Sequence, residues 1–409
     1  MRPDQDTLNS LEQSLSDRTR ARLDQAVATI VRTKEDGGKV AVVVGSGPNL
    51  HEGVTTLIAA LIQKGIVDGV ITSSAVICHE MGGALERVHR VPMNHVPTVN
   101  LTAPHNSILE ASIMSEGLLE EVRTEIPFDA VYYRNLLAAP GTDIIKAAAN
   151  LAYPLGLRTE RLAREAQALA VAARVPLETI VGLGADPMTM IGAGARYGAP
   201  VVVGVPQLIG GGAVGLAIGD CMTITERSSR VSHILDSADV VIESAVALTQ
   251  EIHDGPFETY TGHGIWAEWS GQWTYSLAEK KLIRIDLDPN LELAWQDERS
   301  EGSVSRAIAE GLPKTKLMGV PFRMEMSGFA RLPGSLPVVA DIGVAWPLLA
   351  ARVTQALGVE LDFLSYPQST PQGQAMREEI VRQIRPVCRA HMLVAARNLW
   401  KERAVSCAV

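Results

Sequence analysis

The sequence is poor in the residues that build metal centres and disulfide frameworks. Its 409 residues include only four cysteines, at positions 78, 221, 388 and 407, and no two of them are spaced C-x-x-C. Scattered single cysteines argue against a zinc knot or a disulfide-stapled fold and are typical of a reducing compartment. We therefore expect a cytoplasmic protein without a structural metal.

Charge and hydropathy exclude two further classes of partner. The formal net charge is -9 and no basic stripe occurs, so a nucleic-acid partner is not expected. No apolar run reaches the roughly 20 residues of a membrane-spanning helix. The N-terminal stretch "MRPDQDTLNSLEQSLSDRTRAR" is too charged for a secretory signal. We expect a soluble, globular protein.

Short apolar runs alternate with helical patterns along most of the chain. Nearly continuous apolar runs are typical of strands buried on both faces, as in a parallel sheet. The runs are "KVAVVVG" (39–45), "DGVITSS" (68–74), "DAVYYR" (129–134), "APVVVGVP" (199–206), "ADVVIESA" (238–245), "KLIRIDLD" (281–288) and "LPVVADIG" (336–343). Their alternation with helices predicts an α/β fold with a doubly wound, mostly parallel sheet, which we assign to residues 37–360.

Both ends of the chain show helical periodicity. In residues 1–36 the apolar side chains recur at helical spacing, at Leu8, Leu11, Leu15, Leu23, Val27 and Ile30. We expect an N-terminal helical arm that packs on the body of the protein or on a neighbouring subunit. Residues 361–409 form a predicted C-terminal helical extension. Because the arm has no predicted role in the sheet, we expect a homo-oligomer.

The loops after the predicted strands are rich in small residues. The stretch "VVVGSGPNLHEG" (42–53) passes from a strand to a helix, but it has neither the Lys-Ser/Thr of a P-loop nor a complete G-x-G-x-x-G. Ligands of open parallel sheets bind at the carboxyl ends of the strands, where glycine allows close approach of the backbone. Each glycine alone is equally consistent with a tight turn. The whole series of loops, with three adjacent glycines at 210–212, favours a shared cofactor cleft.

Acidic residues follow two of the predicted strands. Asp286 and Asp288 come after "LIRI", and Asp341 follows "PVVA". A carboxylate in this position commonly accepts hydrogen bonds from the ribose of a dinucleotide. The alternative is that each one caps a helix or is solvated in a loop.

His79 and Glu80 open a helix after the strand that ends in "ITSS". A histidine and a buried glutamate can transfer protons near neutral pH. The alternative is that His79 packs while Glu80 complements the helix dipole. His253 and His263 are weaker candidates, and "GHGIWAEWSGQW" (262–273) supplies tryptophans for either a substrate pocket or a lid or subunit interface.

As an ordered series, these loops resemble segments of deoxyhypusine synthases and, more closely, of archaeal-type ornithine cyclodeaminases. The cyclodeaminases have "GYIDGLLSGNALAVHD" where this chain has "GIVDGVITSSAVICHE" (65–80). They have "VDINPA" where it has "IDLDPN" (285–290), and "VTDVGVFLPLL" where it has "VADIGVAWPLL" (339–349). The resemblance covers residues 39–357 as scattered blocks.

The resemblance implies a deoxyhypusine synthase-like, Rossmann-type fold, NAD as cofactor and a tetramer. It implies that His79 and Glu80 transfer protons. The residues implied to contact NAD are Ser46, Gly47, Asn49, Ser73, Ser74, Gly211, Gly212, Asp286, Asp288, Asp341 and Ile342. Candidate substrate contacts are Gln250, Glu251, His253, His263, Trp269, Trp273 and Asp297.

The implied reaction is NAD-dependent chemistry at the C–N bond of a small amine or amino acid, with hydride borrowed to form an imine. The synthases use a lysine in "SWGKI" that "WSGQW" (269–273) lacks, and residues 249–252 replace their "KHHI". Three alternatives stay open. They are a dehydrogenase with net NADH release, a deoxyhypusine or homospermidine synthase-like aminobutyl transferase, and a non-catalytic NAD-binding protein.

Overall fold

The computed structural model describes residues 4–96, 107–149, 151–204, 210–245, 258–260, 274–313, 319 and 321–406. Within these ranges two sheets lie among many helices. The strands are β1 (Val40–Val44), β2 (Gly69–Thr72), β3 (Leu85–Pro92), β4 (Ile108–Ser112), β5 (Thr142–Ala147), β6 (Val201–Val203), β7 (Val240–Ser244), β8 (Lys281–Asp286) and β9 (Ser335–Val339).

The main sheet has six strands in the order β6-β2-β1-β7-β8-β9, and every pair in it is parallel. This confirms the predicted α/β class. The order matches that of a doubly wound Rossmann sheet, in which the chain starts in the middle and builds outward in both directions. The reversal point lies between β1 and β7, whose register runs from Val40 with Val240 to Val44 with Ser244.

The helices flank this sheet and fill the long connections. They are α1 (Gln5–Ser14), α2 (Asp17–Glu35), α3 (Ser46–His51), α4 (Val54–Gln63), α5 (Ser74–Met81), α6 (Glu116–Glu125), α7 (Ala130–Ala138), α8 (Leu155–Ala173), α9 (Leu177–Gly184), α10 (Met190–Tyr197), α11 (Ala213–Asp220), α12 (Ile224–Ser237), α13 (Asn290–Glu301), α14 (Ser303–Glu310), α15 (Met324–Arg331), α16 (Ile342–Ala356), α17 (Pro371–Gln383) and α18 (Arg389–Ser406). Among the described residues, one 3-10 turn spans Met93–His95.

One predicted strand is wrong. The segment "DAVYYR" (129–134) begins helix α7, because the Asp129 side chain accepts hydrogen bonds from the backbone N–H groups of Val131 and Tyr132. Tyr133 and Leu136, three residues apart, are the buried side chains of this helix. The helix cap and this i, i+3 burial outweigh the strand preference of valine and tyrosine.

A second, antiparallel sheet in the order β4-β3-β5 was not predicted. Its strands carry charged and half-buried residues, as in "LERVHRVP" (85–92), so they lack the continuous apolar runs that mark the main sheet. This sheet is inserted between β2 and β6 of the chain. It brings the end of β5 close to α3 and α5, and therefore to the carboxyl edge of the main sheet.

The N-terminal arm consists of two helices, separated where the Ser16 side chain caps α2. Leu23, Ala26 and Ile30 of α2 are fully buried and belong to the same hydrophobic cluster as the strands β1 and β7. The arm thus packs on the body of its own chain, which was one of the two expectations. A contribution of the arm to a subunit interface stays a prediction. The C-terminal region is helical as expected, with α17 packed beside β3 and β5.

The edge strand β6 is covered by a buried ion pair. Glu178 accepts a hydrogen bond from the Val203 backbone N–H at 2.8 Å, and Arg227 donates to the Val203 carbonyl at 3.1 Å. The two side chains bond to each other at 2.8 Å, and both are fully buried. Because β6 has a strand neighbour on one side only, this pair satisfies backbone groups that a further strand would otherwise take.

Within the described ranges, no single helix is long and apolar enough to cross a membrane. One sharply bent pair, Leu155–Ala173 with Leu177–Gly184, passes by length and composition alone.

The ion pair beneath β6 generates a prediction about stability. Arg227→Met should lower the free energy of unfolding by about 3–5 kcal/mol, because it leaves the Glu178 carboxylate buried without its partner. Denaturant unfolding followed by circular dichroism measures the loss. The control is Arg382→Met, which removes an exposed arginine 3.8 Å from Glu379 and should cost less than about 1 kcal/mol. Equal losses in the two variants would contradict the assignment.

Candidate functional site

A buried chain of hydrogen bonds joins the strands at the reversal point. The Trp346 indole N–H donates to the Ser244 hydroxyl at 2.7 Å, and Ser244 donates to the Asn49 amide oxygen at 2.6 Å. The Asn49 amide nitrogen in turn donates to the Gly45 carbonyl at 2.6 Å. This series of hydrogen bonds connects the ends of β1 and β7 to α16. Asn49 was predicted to contact NAD, but its fully buried amide is engaged in this network.

Beside this network, the turn after β1 leaves space over its backbone. Ser46 begins helix α3 directly after the strand, and a Cβ built on Gly47 would meet only His51, at 3.9 Å. Thr72, paired in register with Val44, ends the neighbouring strand β2. Its buried hydroxyl has no hydrogen-bond partner among the residues that the structure describes. An open glycine and an unsatisfied hydroxyl therefore lie at adjacent strand ends.

The loop after β2 meets the predicted glycine loop. Ser73 caps α5, and the Ser74 hydroxyl donates to the Gly210 carbonyl at 2.6 Å. Gly211 has a φ of +79°, and a Cβ there would lie 2.8 Å from the Ser74 carbonyl oxygen. The backbone at Gly211 therefore lies close to the start of α5. This contact explains why a glycine is needed here, without any ligand. Gly212, with a φ of +57°, precedes α11.

His79 lies almost buried on α5, with 7% of its surface exposed. Its Nδ1 lies 2.7 Å from the Ala148 carbonyl oxygen. A carbonyl can only accept, so Nδ1 carries a proton and the lone pair of the neutral ring is on Nε2. Burial lowers the pKa of His79, which keeps the imidazole neutral at physiological pH. The ring is therefore a base with a fixed tautomer.

Glu80 has different partners from its neighbour. Its carboxylate accepts from the backbone N–H groups of Met190 and Ile191, at 2.8 and 3.0 Å, and so satisfies the first turn of α10. Burial raises the pKa of Glu80 to about 7. Both residues were expected to open a helix, but they lie in the last turn of α5. Glu80 does not fix the His79 tautomer, because the Ala148 carbonyl accepts from Nδ1.

Cationic and neutral groups surround His79 where three elements meet. Arg377 of α17 donates to His51 Nδ1 at 3.2 Å and to the Ile145 carbonyl at 2.6 Å. Burial, followed by the nearby Arg377, lowers the pKa of His51. Lys146 of β5 also lowers the pKa of His79 through its charge. This environment disfavours a second positive charge on either imidazole.

The acidic residues after β8 and β9 take part in local structure. Asp286 is buried and paired with Arg284 at 3.0 Å and with Arg323 at 2.8 Å. The Asp288 carboxylate accepts from the Asn290 N–H at 2.9 Å, where α13 begins. Asp341 caps α16 through the Gly343 N–H at 2.7 Å. Helix capping was the stated alternative to ribose binding, whereas the ion pairs of Asp286 were not predicted.

Of the remaining predicted residues, two lie within the described ranges and six lie outside them. Ile342 is the buried first residue of α16, at the same edge of the sheet. Asp297 lies two turns along α13, roughly 10 Å from its start, so it is not brought to the β1–β7 edge. Outside the described residues lie Gln250, Glu251, His253, His263, Trp269 and Trp273.

Sequence reasoning missed the partners that hold this site together. Ser244, Trp346 and the carbonyl of Ala148 were not singled out, although Ser244 and Trp346 occur in segments noted for small and polar residues. Ala148 has no sequence signal, since only its backbone is used. Over the ranges that the structure covers, no group of three histidine, cysteine, aspartate or glutamate side chains could hold a metal ion.

Comparisons with known proteins give structural likeness only. No protein-family model matches the chain, and no curated protein matches it in sequence. ArgZ, an arginine dihydrolase from the ornithine-ammonia cycle in cyanobacteria, has a similar structure with 13% identity and a TM-score of 0.40. The match covers 84% of this chain and 32% of ArgZ.

Two further structures are similar. AgrE, in a ternary complex with ornithine and NAD+, has 13% identity and a TM-score of 0.40, over 84% of this chain and 34% of AgrE. A LOR/SDH protein from Methanococcus maripaludis S2 has 11% identity and a TM-score of 0.39, over 84% and 69% of the two chains. The chain spans about a third of the length of ArgZ and AgrE. Likeness this distant carries no information about activity.

The hydrogen-bond chain at the reversal point is testable through its central hydroxyl. Ser244→Ala should lower the free energy of unfolding by about 2 kcal/mol or more, because Trp346 and Asn49 each lose a buried partner. Denaturant unfolding measures the change. In the control, Ser237→Ala removes a hydroxyl bonded to the Ile234 carbonyl at the end of α12 and should cost under about 1 kcal/mol. A neutral Ser244→Ala would mean that the network contributes nothing to stability.

Proposed function

We propose that the protein is an NAD-dependent enzyme that acts on the C–N bond of a small amine or amino acid. The observation that carries the proposal is His79: a neutral, tautomerically fixed imidazole beside the carboxyl edge of a doubly wound sheet. Dinucleotides bind such sheets at the reversal of strand order, and amine oxidation needs a base. The resemblance of the strand-end loops to cyclodeaminases and synthases points to the same chemistry.

The residues at the reversal point fit a dinucleotide. The open backbone at Gly47 allows the close approach that a pyrophosphate needs, and the unsatisfied Thr72 hydroxyl offers a polar partner within the same region. Residues 45–49 and the Ser73–Ser74 turn would line the cofactor. Ile342 and the acids Asp286, Asp288 and Asp341 would border it farther along the edge. NAD would supply the hydride acceptor at the substrate carbon.

His79 provides the proton transfer that this chemistry requires. An ammonium group must lose a proton before hydride can leave its carbon, and Nε2 of the Nδ1-protonated ring can accept that proton. The resulting imidazolium is stabilised by the Ala148 carbonyl, which already accepts from Nδ1. Low solvent exposure keeps water away from the ring and preserves the base in its neutral form.

Whether hydride is returned or released decides between the borrowed-hydride reaction and an ordinary dehydrogenase. Purified protein is incubated with NAD and a panel of ornithine, lysine and polyamines while absorbance at the NADH band is followed. Product formation without NADH accumulation supports borrowed hydride, whereas sustained accumulation indicates net oxidation. Absence of NAD both from the purified protein and in calorimetric titration would overturn the proposed function.

Cofactor placement is tested by a methyl group at the open glycine. Gly47→Ala should weaken NAD binding by about 10-fold, which corresponds to about 1.4 kcal/mol, because the methyl enters space expected to hold the cofactor. The fold has room for it and Gly47 is helical without a positive φ, so the melting temperature should not fall. Gly117→Ala, at another open position without a positive φ, serves as the control and should bind NAD normally. Full affinity in Gly47→Ala would reject this placement.

His79→Gln should leave NAD affinity nearly intact and slow turnover by roughly 10²–10⁴-fold, the usual scale for one proton-transfer group. In the unmodified protein, protonation of His79 abolishes its role as base, so activity should fall as the pH falls through the His79 pKa. Because burial holds that pKa below its ordinary value of about 6.5, this acid limb should lie below pH 6.5. A pH–rate profile of kcat measures it. An unchanged rate with a lower melting temperature would indicate that His79 only packs.

A further inference from the structure

We propose that Glu86 is a positioning residue that acts on His79 through the peptide unit between Ala148 and Ala149. The Ala149 N–H donates to Glu86 Oε1 at 2.7 Å, and the Ala148 carbonyl accepts from His79 Nδ1, also at 2.7 Å. The catalytic role of this contact rests on the proposed function of His79. The contact itself is independent of that function.

Both hydrogen bonds belong to one planar amide. The carbonyl of residue 148 and the N–H of residue 149 are the two polar ends of the same peptide unit and point in opposite directions. Glu86 on β3 therefore lies at one end of this amide and His79 on α5 at the other. All four participating groups are buried. The arrangement is a carboxylate–imidazole pair with an amide inserted between its members.

The amide transmits the effect of the carboxylate. A hydrogen bond from an amide N–H to a charged acceptor is stronger than a neutral one. In a chain of hydrogen bonds each member polarises the next, so the carbonyl becomes a better acceptor when its own N–H is bonded to a carboxylate. A stronger acceptor at Ala148 favours the Nδ1-protonated tautomer and stabilises the imidazolium. Glu86 thus opposes the lowering of the His79 pKa by burial.

Packing holds the amide in place. Ala149 has a φ of +56°, a conformation that alanine rarely adopts and that needs support from its surroundings. Gly82, directly after α5, lets the loop approach, since a Cβ there would lie 2.4 Å from the Ala149 Cβ. The bond to Glu86 and this contact both keep the amide against the helix that carries His79.

The charged and titratable neighbours come from several elements. Lys146 of β5 faces both Glu86 and His79, and Glu110 of β4 is bonded to Lys146. His51 of α3 lies near His79, and Cys78 precedes it on α5 with its thiol against the Ala149 carbonyl. Burial raises the pKa of Glu86 to about 7, so its charge changes near neutral pH. Above that pH the carboxylate bond to the amide has its full strength.

The first experiment measures the His79 ring by ¹⁵N NMR in histidine-labelled protein, with its signals identified by their loss in His79→Gln. In the unmodified protein, Nδ1 should be the protonated nitrogen of the neutral ring. Its shift should also show a second inflection near pH 7 as Glu86 titrates. Glu86→Gln keeps the shape and an acceptor oxygen but removes the titration, so it should abolish this inflection.

The matched control is Glu110→Gln, which removes a negative charge from the same sheet without touching the amide. It should keep the tautomer and the inflection, which should move to a lower pH because the Glu110 charge raises the pKa of Glu86. Above pH 7, turnover should fall by about 10-fold or more in Glu86→Gln, with NAD affinity unchanged, because the base is less well oriented. The unmodified protein should lose a similar factor as the pH falls through the Glu86 pKa of about 7, before the His79 limb begins. Glu110→Gln should retain normal turnover.

The outcomes separate this inference from the proposed function. If His79 shows no inflection near pH 7 in the unmodified protein, or if the two variants give the same spectra, Glu86 does not act on His79. The first of these results requires neither the Glu86 nor the Glu110 variant to fold, and neither result requires a substrate. If the coupling is present but NAD fails to bind, the proposed function fails while the contact between Glu86 and His79 stands.

Discussion

The hydrogen bonds from Trp346 through Ser244 to Asn49 define the middle of this molecule. They join β1, β7 and α16 at the point where the chain reverses the direction in which it builds the sheet. Parallel strands need long crossovers, so β1 and β7 are about 200 residues apart in sequence yet adjacent in space. The loops of the candidate site begin at or beside this junction. Its polar groups are satisfied internally, whereas the neighbouring Thr72 hydroxyl is buried without a partner among the described residues and Gly47 has open space beside it.

The antiparallel sheet adds what a plain doubly wound fold lacks. It departs after α5 and returns before α8, and the end of β5 supplies the carbonyl that fixes His79. The imidazole is carried by α5, and its hydrogen-bond acceptor follows β5 of the inserted sheet. A base on one helix is thus oriented by backbone from another part of the chain. In the proposed reaction, the main sheet would bind the cofactor and the inserted sheet would orient the proton-transfer group.

Much of the main sheet was predictable, because strands buried on both faces leave apolar runs that few other structures produce. Six of seven predicted strands form that sheet, and the exception, residues 129–134, was decided by a single capping aspartate. The antiparallel sheet was not predictable from the same signal, since its strands are half exposed. The sequence shows that polar residues follow the strands, but it does not show which groups they bond to. The adjacent His79 and Glu80 suggested a pair that acts together. In the structure, Glu80 accepts from the backbone at the start of α10, whereas His79 bonds to a backbone carbonyl that has no sequence signature.

Glu80 and Glu86 show why buried carboxyl groups are informative here. Burial raises the pKa of each to about 7, and each accepts hydrogen bonds from backbone N–H groups. Because these values lie above the unfolded value near 4.5, the folded state binds more protons between those pH values, and the stabilising contribution of each group decreases as the pH rises from about 4.5 to about 7. A fold that needed only stability would be better served by neutral side chains at both positions. The hydrogen bonds that Glu80 accepts from the start of α10 offset the cost of its burial, whereas Glu86 holds only one strained amide. The effect of that amide on His79 is the function that accounts for a carboxylate at Glu86.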